Sequence, residues 1–155
     1  MINKQAKYIG IIILLIATRM ALGQEMVSLK VKVDSIRTNK GEVLAAIFES
    51  QSDFKKDSAL QRKQVKVNGT SVTLEFQLPA NGSYSVALFQ DIDGNGKLNT
   101  KGAMKVPDEP IGFSNNKLSR FGPPDFDKVS FKLTNDTLIQ IYIISSRKEY
   151  FNKFN

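Results

Sequence analysis

The chain has 155 residues, with 22 Lys and Arg against 15 Asp and Glu, and it contains neither His nor Cys. That length suits one ordinary domain, and 41% apolar with 24% charged residues is the balance of a folded globular chain rather than a disordered one. The missing residue types exclude a Ser–His–Asp triad, a cysteine nucleophile, an ordinary zinc site, any disulfide and any cysteine-linked lipid anchor.

The first 23 residues read as a signal peptide. Lys4 and Lys7 precede the uncharged run Tyr8 to Ala17, and Ala21-Leu22-Gly23 sets small residues before Gln24. The alternative is an uncleaved anchor, but the run is short for a bilayer and Arg19 interrupts its extension. Removing this segment takes three bases (Lys4, Lys7, Arg19) from the 22, leaving 19 against 15 and a net charge of +4 on residues 24–155. An excess that mild and that scattered is not a nucleic-acid footprint. The expectation is an exported bacterial protein, periplasmic or secreted, with no transmembrane span in its mature chain.

The mature chain then alternates apolar and polar residues at period two, the signature of strands. Val27, Leu29, Val31 and Val33 define the first. Glu42 to Glu49 is apolar on both parities and predicts a more fully buried strand. Gln51 to Gln64 is polar and predicts a loop with at most one helical turn. Val65 and Val67 lead into Asn68-Gly69, a strong hairpin signal, and Val72, Leu74, Phe76 and Leu78 follow in strict alternation. Pro79-Ala80-Asn81-Gly82 predicts a turn before a strand at Tyr84, Val86, Leu88 and Phe89. After a long irregular stretch, Val129, Phe131 and Leu133 resume the pattern. Thr137 to Ile144 closes it, and a loose tail over about 145–155 follows. The sum is an all-β, single antiparallel sandwich of about seven strands, immunoglobulin-like or transthyretin-like, carrying one long ordered loop.

That loop, Gln90 to about Asp127, is too long for a mere connection. Its first part is Asp91-Ile92-Asp93-Gly94-Asn95-Gly96-Lys97-Leu98-Asn99. On a twelve-residue calcium loop, Asp91, Asp93 and Asn95 occupy positions 1, 3 and 5. Gly96 takes the sharp turn at position 6, Lys97 offers a carbonyl, and Asn99 stands at position 9. A hard cation needs several oxygens on a small radius, and alternate residues of a turning chain point theirs inward. Position 12 is Gly102, so the bidentate carboxylate is missing, and Asp108 or Glu109 is the nearest replacement. The competing reading is a metal-free turn, because Asp, Asn and Gly build such turns by themselves. Further on, Asp108, Glu109, Phe113, Asn115, Asn116 and Phe121 are candidates for a ligand surface, with Phe113, Phe121 and Phe126 expected to fold the loop onto the sandwich.

The stretch Tyr84 to Phe126 resembles a family of exported bacterial proteins known as domain of unknown function 2141. The resemblance rests on YSVALFQDIDGNGKLNT at Tyr84–Thr100, Pro107-Asp108-Glu109-Pro110, Ile111-Gly112-Phe113-Ser114-Asn115-Asn116, and Phe121-Gly122-Pro123-Pro124-Asp125-Phe126. It implies a small secreted all-β domain with no assigned activity. Members commonly carry His where this chain has Gln90 and Asp where it has Asn99, so a role needing an imidazole beside the Asp loop does not transfer.

Function is therefore expected to be that of an exported, non-enzymatic binding or interaction module, its loop set by Ca2+, presented to an extracellular protein or glycan. The alternatives are a metal-dependent hydrolase using Asp91 and Asp93 with a carboxylate from the 108–125 region, and a structural envelope protein.

Overall fold

A computed structural model describes residues 24–119 and 122–145. The expected signal peptide at 1–23, Phe121 and the expected tail beyond Ser145 lie outside the described residues. The chain is all-β, with strands β1 (Met26–Asp34), β2 (Glu42–Phe48), β3 (Gln61–Lys66), β4 (Ser71–Pro79), β5 (Gly82–Asp91), β6 (Thr100–Lys101), β7 (Val106–Pro107), β8 (Ile111–Phe113), β9 (Phe131–Leu133) and β10 (Thr137–Tyr142). Two short helices, α1 (Gln51–Lys56) and α2 (Phe126–Val129), interrupt them. Among the described residues, no helix is long and apolar enough to cross a membrane.

One sheet has the order β10-β1-β4 and the other β3-β2-β5-β8, with β9 pairing the opposite end of β5 on the β8 side. The alternating strands behave as their period dictates. Val27, Leu29, Val31 and Val33 of β1 and Val72, Leu74, Phe76 and Leu78 of β4 turn inward. They meet Val43, Ala45 and Ile47 of β2 and Tyr84, Val86 and Leu88 of β5 in one core between the sheets. Phe76, Leu29, Ile47 and Leu78 are fully buried there, and each such side chain stabilises by about 1.5–3 kcal/mol relative to exposure.

Not every pairing is antiparallel. β1 and β10 run parallel, from Leu29 beside Thr137 to Asp34 beside Tyr142. Beyond β10 the chain leaves its own sheet: Ile144 exchanges two backbone hydrogen bonds with Ile111 of β8, at 2.9 and 3.0 Å, and ties the two sheets together at one edge.

The Asn68-Gly69 hairpin does not form. β3 pairs antiparallel with β2, and β4 pairs with β1 in the other sheet, so this dipeptide turns a corner between sheets. Neither residue has the positive φ that a type I′ turn requires. The burial of the flanking strands explains the outcome. β4 hides four apolar side chains on one face and exposes the other, which suits a solvated sheet. β3 (QRKQVK) is largely exposed and serves as an edge.

Gly69 has open space around its Cα and a negative φ. Gly69→Ala should therefore be neutral, or stabilising by about 0.4–1 kcal/mol through the unfolded chain. Urea unfolding measures this, and a loss above about 1 kcal/mol would point to the left-handed hairpin turn instead.

Candidate functional site

The central strands β2 and β5 present apolar residues on both faces. Leu44, Ala46 and Phe48 point away from the intersheet core, as do Ala87 and Phe89, and Ile111 and Phe113 of β8 extend the same outer face. A sandwich whose second face is this apolar needs a cover. At one end α1 and α2 supply it. Phe126 packs with Ala46 and Phe48, and Phe54 stands edge-on to Phe48 with centroids 5.1 Å apart. Phe126 also donates its backbone N–H to the Gln51 side chain at 2.7 Å, holding the two helices together.

Over the rest of the face the 90–127 segment forms a roof. Gly96, Lys97, Leu98, Met104, Lys105, Pro107, Leu118, Ser119, Gly122 and Pro123 face the sheet across a cavity of about 1000 Å3, with Leu44, Phe89, Ile111 and Phe113 on its floor. That volume is at the top of the range for small-molecule sites. Met104 is 73% exposed and Leu98 38%, so the roof carries apolar side chains that lack a complete protein environment.

The roof is pinned by carboxylates. Asp91 ends β5 and is almost fully buried. Its Oδ1 accepts the N–H groups of Gly94 (2.9 Å) and Asn95 (3.2 Å), and its Oδ2 accepts that of Gly96 (2.8 Å). Gly94 and Gly96 adopt positive φ, which directs successive N–H groups at one oxygen pair. Glu109, also buried, closes the loop from its far side. Oε1 accepts from Ile92 N–H at 2.8 Å and Oε2 from Asn99 N–H at 3.0 Å. Between these two clamps, β6 and β7 form a small hairpin, and Asp108 N–H reaches Asn99 O at 2.8 Å. Gly41 backs the assembly: a Cβ there would lie 1.8 Å from the Asp91 carbonyl oxygen.

Asp91, Asp93 and Glu109 come together, with oxygens within 4.8 Å of one another. Glu109 thus stands where the calcium pattern lacked its last carboxylate. Asp93 is exposed and is held in the charged form by its neighbours. The Asn99 amide (2.8 Å) leads, with the Asn95 N–H and amide contributing, and these bonds lower its carboxyl below the ordinary range. The Asn95 and Asn99 amides donate nitrogen into this cluster, so a cation beside Asp93 requires both to rotate and present oxygen instead. Lys97 N–H binds the Asn95 side-chain oxygen at 2.7 Å, and Lys97 is one of the residues lining the cavity.

The other predicted residues separate. Asp108 is exposed and pairs with Lys101. Phe113 floors the cavity, its ring 6.0 Å from Phe54. Asn115 and Asn116 both have positive φ and act as staples. Asn115 donates to Ser130 O at 2.9 Å. Asn116 donates to Gln140 O at 3.0 Å and accepts Tyr142 N–H at 2.8 Å. Ser114, fully buried, accepts Val86 N–H at 2.9 Å and donates to Val129 O. The Ser-Asn-Asn run therefore sews the loop to both sheets. Gln90 is buried on the intersheet side of β5, opposite Val43, donating to the Thr38 and Lys40 carbonyls.

Residue-by-residue reasoning missed Leu44, Ala46, Ala87, Phe89, Leu98, Met104 and Leu118. A signal existed for the floor: Glu42 to Glu49 is apolar at both parities. Nothing in the spacing indicated that the loop returns over that same face.

Fold and site together define an all-β domain in which a carboxylate-pinned loop covers one sheet. The profile of the family described as "Uncharacterized protein conserved in bacteria (DUF2141)" matches residues 31–140, and the chain belongs to that family. No curated protein and no solved structure gives a significant match.

Asp93 also sets a pH dependence. Its folded-state pKa lies below its unfolded value, so its contribution to stability is present above the ordinary value of 3.8 and is lost as pH falls through the lowered one. The difference in Tm between wild type and Asp93→Asn should be constant above about pH 5 and shrink toward pH 2. A difference unchanged across that range would contradict the assignment.

Proposed function

We propose that this protein is an exported, non-enzymatic binding module that seats a small, largely apolar ligand between the outer face of β2-β5-β8 and the 90–127 loop. The observation carrying this reading is the cavity of about 1000 Å3, because a non-ligand sheet face would have been polar or closed by protein. A glycan fits the lining less well. Sugar recognition calls for a dense set of hydrogen-bonding side chains, whereas this floor is Leu, Ala, Phe and Ile, and the chain has no Trp. The leader-like segment at 1–23 supports export.

Calcium belongs to the same reading as the element that stiffens the roof. Spacing at positions 1, 3, 5, 6 and 9 and the convergence of Asp91, Asp93 and Glu109 support it. Gly96 to Leu98 belong both to the cation loop and to the cavity wall, so ordering one orders the other.

The ligand reading is tested with an environment-sensitive apolar dye. Wild type should bind it saturably at about one per chain, and Leu44→Glu, which puts a charge on the floor, should weaken binding at least tenfold while the protein stays folded. Failure of the folded wild type to bind dye would remove the reading. For calcium, a tenfold excess over the dissociation constant should add about 1.4 kcal/mol of stability, seen as a rise in Tm that Asp91→Asn abolishes. An unchanged Tm at 10 mM calcium would remove the ion and leave the turn standing on its own hydrogen bonds.

A further inference from the structure

The cavity's charge distribution says what kind of ligand it suits, and this step rests on the ligand reading just given. Its floor is aliphatic and aromatic, and its roof adds Leu98, Met104 and Leu118. Long flexible side chains such as Met re-pack around apolar bodies of irregular or variable shape. The charged residues on the lining are Asp57, Arg62, Lys63, Lys97 and Lys105.

Three of these five are already committed. Arg62 donates to both the Asp57 carboxylate and its carbonyl oxygen, each at 2.7 Å, so that pair neutralises itself. Lys63 donates to the Glu75 carbonyl and lies 5.6 Å from the Phe76 ring. Lys97 and Lys105 remain, both in the roof and both without an acidic partner among the described residues. By contrast, the nearby Lys101 is paired with Asp108. Asp91 and Glu109 are turned into their own knot of backbone N–H groups, Asp108 pairs with Lys101, and no acid of the roof segment lines the cavity. The cavity therefore combines an apolar interior with two exposed lysines on its lining that have no acidic partner among the described residues, and its one carboxylate, Asp57, is engaged by Arg62.

We infer that the ligand is a single-chain amphiphile with an anionic head, its hydrocarbon body on the Leu44/Phe89/Ile111/Phe113 floor and its head group at Lys97 and Lys105. A carboxylate head and a phosphate head satisfy the same chemistry, since an ammonium acts on either as a point charge.

The test is titration calorimetry on the purified protein below micelle concentrations, with four twelve-carbon probes: dodecanoate, dodecyl phosphate, dodecanol and dodecyltrimethylammonium. At least one anionic probe should bind about tenfold more tightly than dodecanol, and the cationic probe should bind more weakly than dodecanol. The stronger of the two anions identifies the head. In the Lys97→Gln/Lys105→Gln double variant the ratio of anion to alcohol affinity should fall to near one. Raising the ionic strength should erode that ratio in wild type alone. Equal binding of anionic and neutral probes, or an undiminished ratio in the double variant, overturns the inference while leaving the apolar site intact. Absence of binding by all four probes to folded wild type defeats both the inference and the reading beneath it.

Discussion

The structure depends on one mismatch between strands and solvent. β2 and β5 are apolar on both faces, and a two-sheet fold can bury only one of them. The core between the sheets takes Val43, Ala45, Ile47, Val86 and Leu88. Leu44, Phe48, Ala87 and Phe89 are left on the outside of the same sheet. Leaving that face in water would forfeit about 25 cal/mol per Å2 of apolar surface and invite association. Two segments answer this constraint: α1, between β2 and β3, closes one end together with α2, and the rest of the long stretch between β5 and β9 forms an irregular roof.

An irregular roof has no ladder of its own, so its backbone donors need other partners. Buried carboxylates provide them. Asp91 gathers the N–H groups of Gly94, Asn95 and Gly96, and Glu109 gathers those of Ile92 and Asn99. Two acids thereby organise five donors across a stretch that has little secondary structure. Ser114, Asn115 and Asn116 do the same further along, each joining the segment to a different strand or helix end. The polar residues of this loop are framework first, and the binding surface is made by the apolar residues that the framework holds in place.

Much of the sheet structure was legible from period alone. β1, β2, β4 and β5 fall where alternation put them, within two residues for most ends. The Asn68-Gly69 turn was misread because local turn chemistry says nothing about which sheet the next strand joins; β4 pairs with β1 because its one-sided apolar pattern suits that sheet. The parallel partnership of β1 and β10 was equally invisible, since pairing direction leaves no mark on alternation. In the site, the Asp91/Asp93 pattern pointed to the right turn, and Glu109 was among the residues named to complete it. Asn115 and Asn116, candidates for a ligand surface from the sequence, also act as staples, a role set by positive φ and by distant backbone partners that spacing does not reveal. The cavity could not be seen, because it needs both the two-faced strand and the path of a loop fifty residues downstream.

Amide hydrogen exchange on the loop tests the central claim most directly, namely that buried carboxylates fix the cover of the second sheet. The N–H groups of Ile92, Gly96 and Asn99 should exchange as slowly as amides of the sheet interior, although they lie outside its ladders, and Glu109→Gln should release Ile92 and Asn99 while sparing β1 and β4. Exchange of these three amides at unprotected rates in the wild-type protein would contradict the account.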